Sequence, residues 1–333
     1  MKNLLSLAIL NMALVTLFAL PSQAMGQAKA SNADTKLHLL HTLKKTQNVF
    51  SALKDEFVFS EEFSQFIADN AQFLSGHERT SLGSPLFFLK LGNWQDSELP
   101  LVFWVGGIHA DEFAPSLATW RVLEDLFLGE IDLQNSRVLY IPFLNFDGFI
   151  DGYKRTGYPT RENAQGKDLN RSFYSTENLP RGQGPKEVEF VLELAEIYRP
   201  YYWVIPHAAL GLIDLDSSNK ELFKDWASEV AELTAGSPSP VLPYVDFPTY
   251  GNPNELTNWS IGRYISSTRF DGKELGGITF EFPGPGTKPD PNAPDYARQV
   301  SRRKHLGRYA ANTYLAHEYY DSYKLALVKC LSP

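Results

Sequence analysis

Four near-continuous apolar runs, spaced along the chain, constrain its fold more than any other feature. They are "LPLVFWVGG" (99–107), "SRVLYIPFLN" (136–145), "YYWVIPHA" (201–208) and "GGITFEFPGPG" (276–286). None shows the polar alternation of a strand with one wet face, so each reads as a strand buried on both faces. Helical periodicity lies between them at 112–129, closed by Gly129, at 185–199, with Pro185 in its first turn, and at 219–236. Strand and helix alternate, which predicts a single α/β domain: a central mixed, mostly parallel sheet covered by helices on both faces.

The remaining segments fill in around that plan. "LFFLKLG" (86–92) reads as an edge strand in a hairpin with 99–107. Phe57, Phe63, Phe66 and Ile67 recur at helical spacing ahead of it, and a long helix over 294–323 closes the chain. Residues 146–184 read as irregular, and "SPSPVLPYVDFPTYGNPNE" (237–255) as a Pro-rich loop.

The chain of 333 residues carries 31 Lys and Arg against 39 Asp and Glu, a net charge of −8, with no basic run. Nucleic acid is therefore excluded as a partner, because binding it requires clustered cations. The first residues match a secretory signal over 1–24: Lys2, the apolar Leu4–Leu20, and the small-residue cleavage site Ser22-Gln23-Ala24. That stretch is shorter than the roughly 20 apolar residues a membrane span needs, so no span is expected after cleavage. Residues 25–34 read as a linker and 35–333 as the folded domain. Cys330 is the single cysteine, so no internal disulfide forms, which fits the bacterial periplasm better than a eukaryotic secretory route.

Polar residues gather where the strands end, the place where open α/β sheets bind ligands. His109 and Glu112 follow the 99–107 run in "GGIHADE", His207 ends the 201–208 run, and Glu281 lies in "TFEFPGPG". Two histidines and a carboxylate form a catalytic zinc set with a fourth position open. A further carboxylate can then take a proton from the attacking water. His317-Glu318 has no second histidine four residues after His317, so the H-E-x-x-H motif fails. "TRENAQGKDLNRSF" (160–173) places two arginines and an asparagine between these candidates, and arginine forks bind carboxylates bidentately.

With these motifs on the page, the sequence resembles the zinc metallocarboxypeptidases of the carboxypeptidase A type, peptidase family M14. "HADE" is similar to the family's H-x-x-E zinc motif and "DLNRSF" to its D-x-N-R segment. "PHAALGLID" resembles the third-ligand segment of the bacterial murein-peptide amidase branch, and "ITFEF" the strand with the catalytic glutamate. The likeness runs from about Leu86 to Gly284 in family order. It implies one zinc ion held by His109, Glu112 and His207, with Glu281 as general base and then acid. It also implies Arg161 as the oxyanion-stabilising arginine, and Asn170 and Arg171 as the grip on the substrate's terminal carboxylate. Tyr250, with Tyr244 as rival, stands for the family's mobile tyrosine.

The expectation is a secreted, periplasmic zinc metallocarboxypeptidase that acts on a peptide substrate, the peptidoglycan stem peptide at its γ-D-glutamyl–diaminopimelate bond. Asp214 and Asp216, close after His207, read as solvated turn carboxylates in preference to contacts for a diaminopimelate amine. Two alternatives stand beside this reading: a deacylase of the succinylglutamate desuccinylase/aspartoacylase type, and a catalytically inactive cell-wall-binding module.

Overall fold

A computed structural model describes residues 28–30, 33–53, 57–234, 255–283, 320–321 and 323–333. The signal segment 1–24, Tyr244, Tyr250 and most of the 294–323 helix lie outside the described residues.

The sheet is built on β1 (Leu89–Gly92), β2 (Leu101–Val105), β3 (Arg137–Ile141), β4 (Tyr202–Asp216) and β5 (Gly276–Pro283), in the order β1-β3-β2-β4-β5. β1 runs antiparallel to β3, while β3, β2, the first half of β4 and β5 are parallel. The 86–92 run thus takes the edge beside β3, not beside 99–107 as its sequence proximity suggested. β2 already has parallel partners on both sides, which leaves it no free edge for a hairpin.

β4 meets β5 twice. Residues 202–209 pair with it in parallel, His207 opposite Glu281; the chain then turns, and 212–216 returns along β5, Leu212 opposite Glu281 and Asp216 opposite Gly277. Since Glu281 pairs with both halves, they flank β5 on opposite edges and the sheet is six segments wide.

Both sheet faces are dry, as the unbroken apolar runs require. Along β2, Val102 and Trp104 join one core, while Leu101, Phe103 and Val105 join the other. The first core is completed by α1 (Ala33–Ala52), α2 (Glu61–Asn70), α3 (Phe113–Leu128), α4 (Phe146–Thr156) and α6 (Lys224–Glu232). The second is covered by α5 (Lys186–Tyr198) and α7 (Ile261–Ser267). α4 lies in the segment read as irregular. Phe146, Phe149, Ile150 and Tyr153 fall on one helical face, and Asn145 caps it by accepting the Gly148 N–H at 2.9 Å. Its two glycines weaken the helical signal, yet contact requires them: a Cβ on Gly148 would sit 2.6 Å from the Glu162 carbonyl oxygen.

The glycine pair that ends β2 has the same kind of cause. A Cβ on Gly106 would lie 2.7 Å from Thr119 Cγ2 and 2.8 Å from the Pro142 carbonyl oxygen. Gly107 adopts φ +63°, with the Phe143 ring 2.8 Å from where a Cβ would be. The chain leaves the strand through this tight passage and delivers His109 and then α3, whose first turn carries Glu112 at its N-cap position.

Candidate metal centre

His109, Glu112 and His207 are all buried, and their potential ligand atoms lie within 4.8 Å of one another. Glu112 is the hub. Its Oε1 is 2.7 Å from His109 Nδ1, and its Oε2 is 2.8 Å from His207 Nδ1. Oε2 also accepts the Ala208 N–H at 3.0 Å, which ties the α3 cap position to β4. The two imidazole rings stand 4.7 Å apart, centroid to centroid. Burial works against charge on His109, but Glu112 and Asp168 outweigh it and raise its pKa to about 9. Burial likewise opposes the Glu112 carboxylate, yet the two histidines hold it well below the usual range. His207 is pushed down, chiefly by burial.

Behind the hub sits Asp168, which the sequence reading quoted inside "DLNRSF" without giving it a role. Its Oδ1 lies 3.0 Å from His109 Nε2 and accepts the Asn170 N–H at 2.9 Å. Its Oδ2 accepts from Arg161 Nε at 2.9 Å, and Arg161 Nη1 reaches Glu112 Oε1 at 3.2 Å. A carboxylate on the outer nitrogen of a ligating imidazole fixes the ring's tautomer and orientation. Asn145 of "NFDG" braces this corner by donating to the Arg161 carbonyl at 3.1 Å.

Glu281 lies in register with His207 on the neighbouring strand and is partly exposed. Asn170 accepts the Ile261 N–H at 2.9 Å through Oδ1, and its Nδ2 is 3.4 Å from His207 Nε2. Arg171 donates to the Asn170 carbonyl at 2.6 Å and lines a cleft of about 370 Å³ beside Asp168.

Asp214 and Asp216 are not solvated turn residues. Both lie in the returning half of β4, paired with Thr279 and Gly277. Asp216 is buried and accepts the Thr279 hydroxyl at 2.7 Å, with a place for a Gly262 Cβ only 2.1 Å from its Oδ1. Burial and then Asp214 push the Asp216 carboxyl up to about 8.

Two inward Nδ1 atoms and one carboxylate, with Asp168 on an outer nitrogen, match the donor set and outer support of a catalytic zinc site. Residues 74–190 match the family model Peptidase_M14, the zinc carboxypeptidases. Over that span, about a third of its length, the chain is similar to the zinc carboxypeptidases of family M14. The matched span holds His109, Glu112, Arg161, Asn170 and Arg171, while β4 and β5 bring His207 and Glu281 to it from beyond.

Solved structures similar to the chain agree on the fold. A metallo-carboxypeptidase from Burkholderia cenocepacia is 17% identical at a TM-score of 0.50, over 79% of this chain and 69% of that one. Bovine thrombin-activatable fibrinolysis inhibitor is 16% identical at 0.54, over 86% and 95%. Carboxypeptidase A from Helicoverpa armigera is 14% identical at 0.54, over 88% and 81%. No curated protein sequence matches the chain. Among the described residues, no helix is long and apolar enough to cross a membrane.

Proposed function

We propose that this M14-type peptide hydrolase is an exported metallocarboxypeptidase of the bacterial periplasm. It removes the C-terminal residue of a peptidoglycan stem peptide, at the γ-D-glutamyl–diaminopimelate bond. The observation that carries the catalytic part is the convergence of His109, Glu112 and His207, with Glu281 in register opposite His207. The substrate and the location rest on the sequence: the secretory signal over 1–24 and the likeness of "PHAALGLID" to the murein-peptide amidase branch.

His109, Glu112 and His207 would hold one zinc ion, which when bound would supply Lewis acidity and a lowered pKa for water at the site. Glu281 takes the proton of the attacking water and returns it to the leaving amine. Arg161 stabilises the negative charge that develops on the carbonyl oxygen. Its Nε and Nη1 are anchored on Asp168 and Glu112, while its Nη2 makes no hydrogen bond or ion pair among the described residues. That leaves donors on a fixed guanidinium. Asn170 and Arg171 recognise the terminal carboxylate, with Tyr250 assigned from the sequence as a further substrate-binding residue.

Digestion of purified muropeptides, followed by mass spectrometry, tests the proposal. Release of diaminopimelate-containing C-terminal fragments is expected, with amidation of the terminal carboxylate lowering kcat/KM by ~10²-fold or more. Turnover of an N-succinyl amino acid in place of muropeptides would make the protein a deacylase. Zinc binding without turnover of any peptide would make it a wall-binding module.

A further inference from the structure

The cleft beside Asp168 has a chemistry that terminal-carboxylate recognition by Arg171 does not exhaust. Its walls come from the 165–168 loop, from Arg171 to Tyr174, from the start of α5, and from Thr257 and Asn258. The lining is more polar than apolar, with Gln165, Gln183 and Asn258 offering amides, so an apolar side chain gains less there than in a dry pocket. Two cations line it: Arg171 and Lys167.

Lys167 is held in place by the fold. Buried Asn163 accepts the Lys167 N–H at 3.0 Å and the Gln165 N–H at 3.0 Å, and donates its own N–H to the Lys167 carbonyl at 2.9 Å. Its side-chain amide is anchored in turn on buried Glu187. The loop is therefore braced from beneath, while the Lys167 ammonium makes no hydrogen bond or ion pair among the described residues. The carboxylates nearby, Asp168, Glu187 and Glu189, already have partners. Asp168 is bound to His109 and Arg161, and buried Glu189 accepts from the Tyr174 hydroxyl and the Gly184 N–H. An anion entering the cleft thus meets the Lys167 ammonium beside Arg171, while the Asp168 and Glu189 carboxylates are already engaged.

We propose that Lys167 is a specificity-determining residue that binds a second carboxylate on the leaving residue, so that the preferred substrate ends in a dicarboxylic amino acid. The inference rests on the carboxypeptidase reading, and it assigns a residue of this chain to the second carboxylate that diaminopimelate would present. Asp168 forms part of the cleft and touches His109, which places the cleft one side chain away from the metal centre. The volume of about 370 Å³ accommodates one amino-acid residue with some water, since a water molecule occupies roughly 30 Å³ of the liquid.

The test compares two peptides that differ only in ending in Glu or Gln, on the zinc-loaded parent, Lys167→Gln and Lys167→Arg. The parent should favour the Glu peptide by ~2–5-fold in kcat/KM, the scale of one exposed charge pair, with the ratio shrinking as salt rises. Lys167→Gln should bring the ratio close to one, and Lys167→Arg should restore it. Titration calorimetry with free glutamate and free glutamine gives the same comparison without turnover. A Glu-to-Gln ratio that Lys167→Gln leaves unchanged, in hydrolysis and in binding, overturns the proposal while the peptidase reading stands. Lys167-dependent glutamate binding with no hydrolysis of any peptide would fail the peptidase reading and keep the cleft.

Discussion

Asp168 Oδ1 lies 3.0 Å from His109 Nε2, on the side of the ring opposite the Nδ1 that faces Glu112. The same carboxylate holds Arg161, so one side chain orients both His109, the proposed zinc ligand, and the arginine assigned to the reacting carbonyl. Asp168→Ala should lower zinc affinity by ~10–100-fold, the usual cost of losing an outer-shell partner. Competition against a chromogenic chelator measures this without any substrate. Unchanged affinity would mean that packing alone orients the imidazole.

Glu112 touches both histidines, so its removal should do more than subtract one ligand. Glu112→Ala leaves two buried imidazoles without their shared carboxylate, and zinc content should fall from one per chain to a small fraction. Metal analysis of the purified, dialysed variant decides the point. Full occupancy would remove Glu112 from the ligand set.

Glu281→Gln separates base from ligand. The amide keeps size and hydrogen-bonding capacity but cannot accept the water's proton. Zinc content should stay at the parent level while kcat falls by ~10²-fold or more. A kcat near the parent value would place the base elsewhere.

How much of this was legible in the sequence follows the range of the interactions. The dry strands showed because burial on both faces leaves its mark in every residue of "LVFWV". The strand-end positions of His109, His207 and Glu281 followed from the same runs. Contacts set by distant partners did not show. Nothing local tells "LFFLKLG" to pair with 137–141, and α4 was hidden by Gly148 and Gly152, whose need arises from Glu162 and Thr160. The return of β4 along β5 was equally silent, which is why Asp214 and Asp216 read as turn residues. Asp168 could have been found: an aspartate two residues before Asn170 in a turn that faces a candidate ligand is a natural outer-shell partner.

Gly106 offers a stability test of the passage out of β2. Gly106→Ala would force a Cβ against Thr119 and the Pro142 carbonyl, with backbone unable to yield cheaply. Overpacking of this kind costs about 1–3 kcal/mol. Chemical denaturation should show the loss, and zinc affinity should fall with it because His109 follows three residues later. Parent-like stability would mean that the 142–143 segment moves aside easily.

The last prediction concerns Asp216, buried against α7 with its pKa raised to about 8 by burial and by Asp214. In the unfolded chain its pKa returns to the ordinary carboxyl range, about 4. Between those values the native state holds a proton that the unfolded state has released. Unfolding free energy from this group must therefore fall as pH rises, by about 1.4 kcal/mol per unit at most, from about pH 4 up to about pH 8. This is the reverse of a salt-bridged carboxylate, whose contribution is lost on acidification. Asp216→Asn mimics the protonated form and keeps an oxygen to accept the Thr279 hydroxyl. Parent and variant should have similar stability near pH 5, and the variant should be the more stable by up to about 4 kcal/mol at pH 8 to 9. Urea denaturation at the two pH values measures the difference. If parent and variant lose stability in parallel over that range, Asp216 is ionised in the fold, and its contact with Thr279 stabilises the carboxylate.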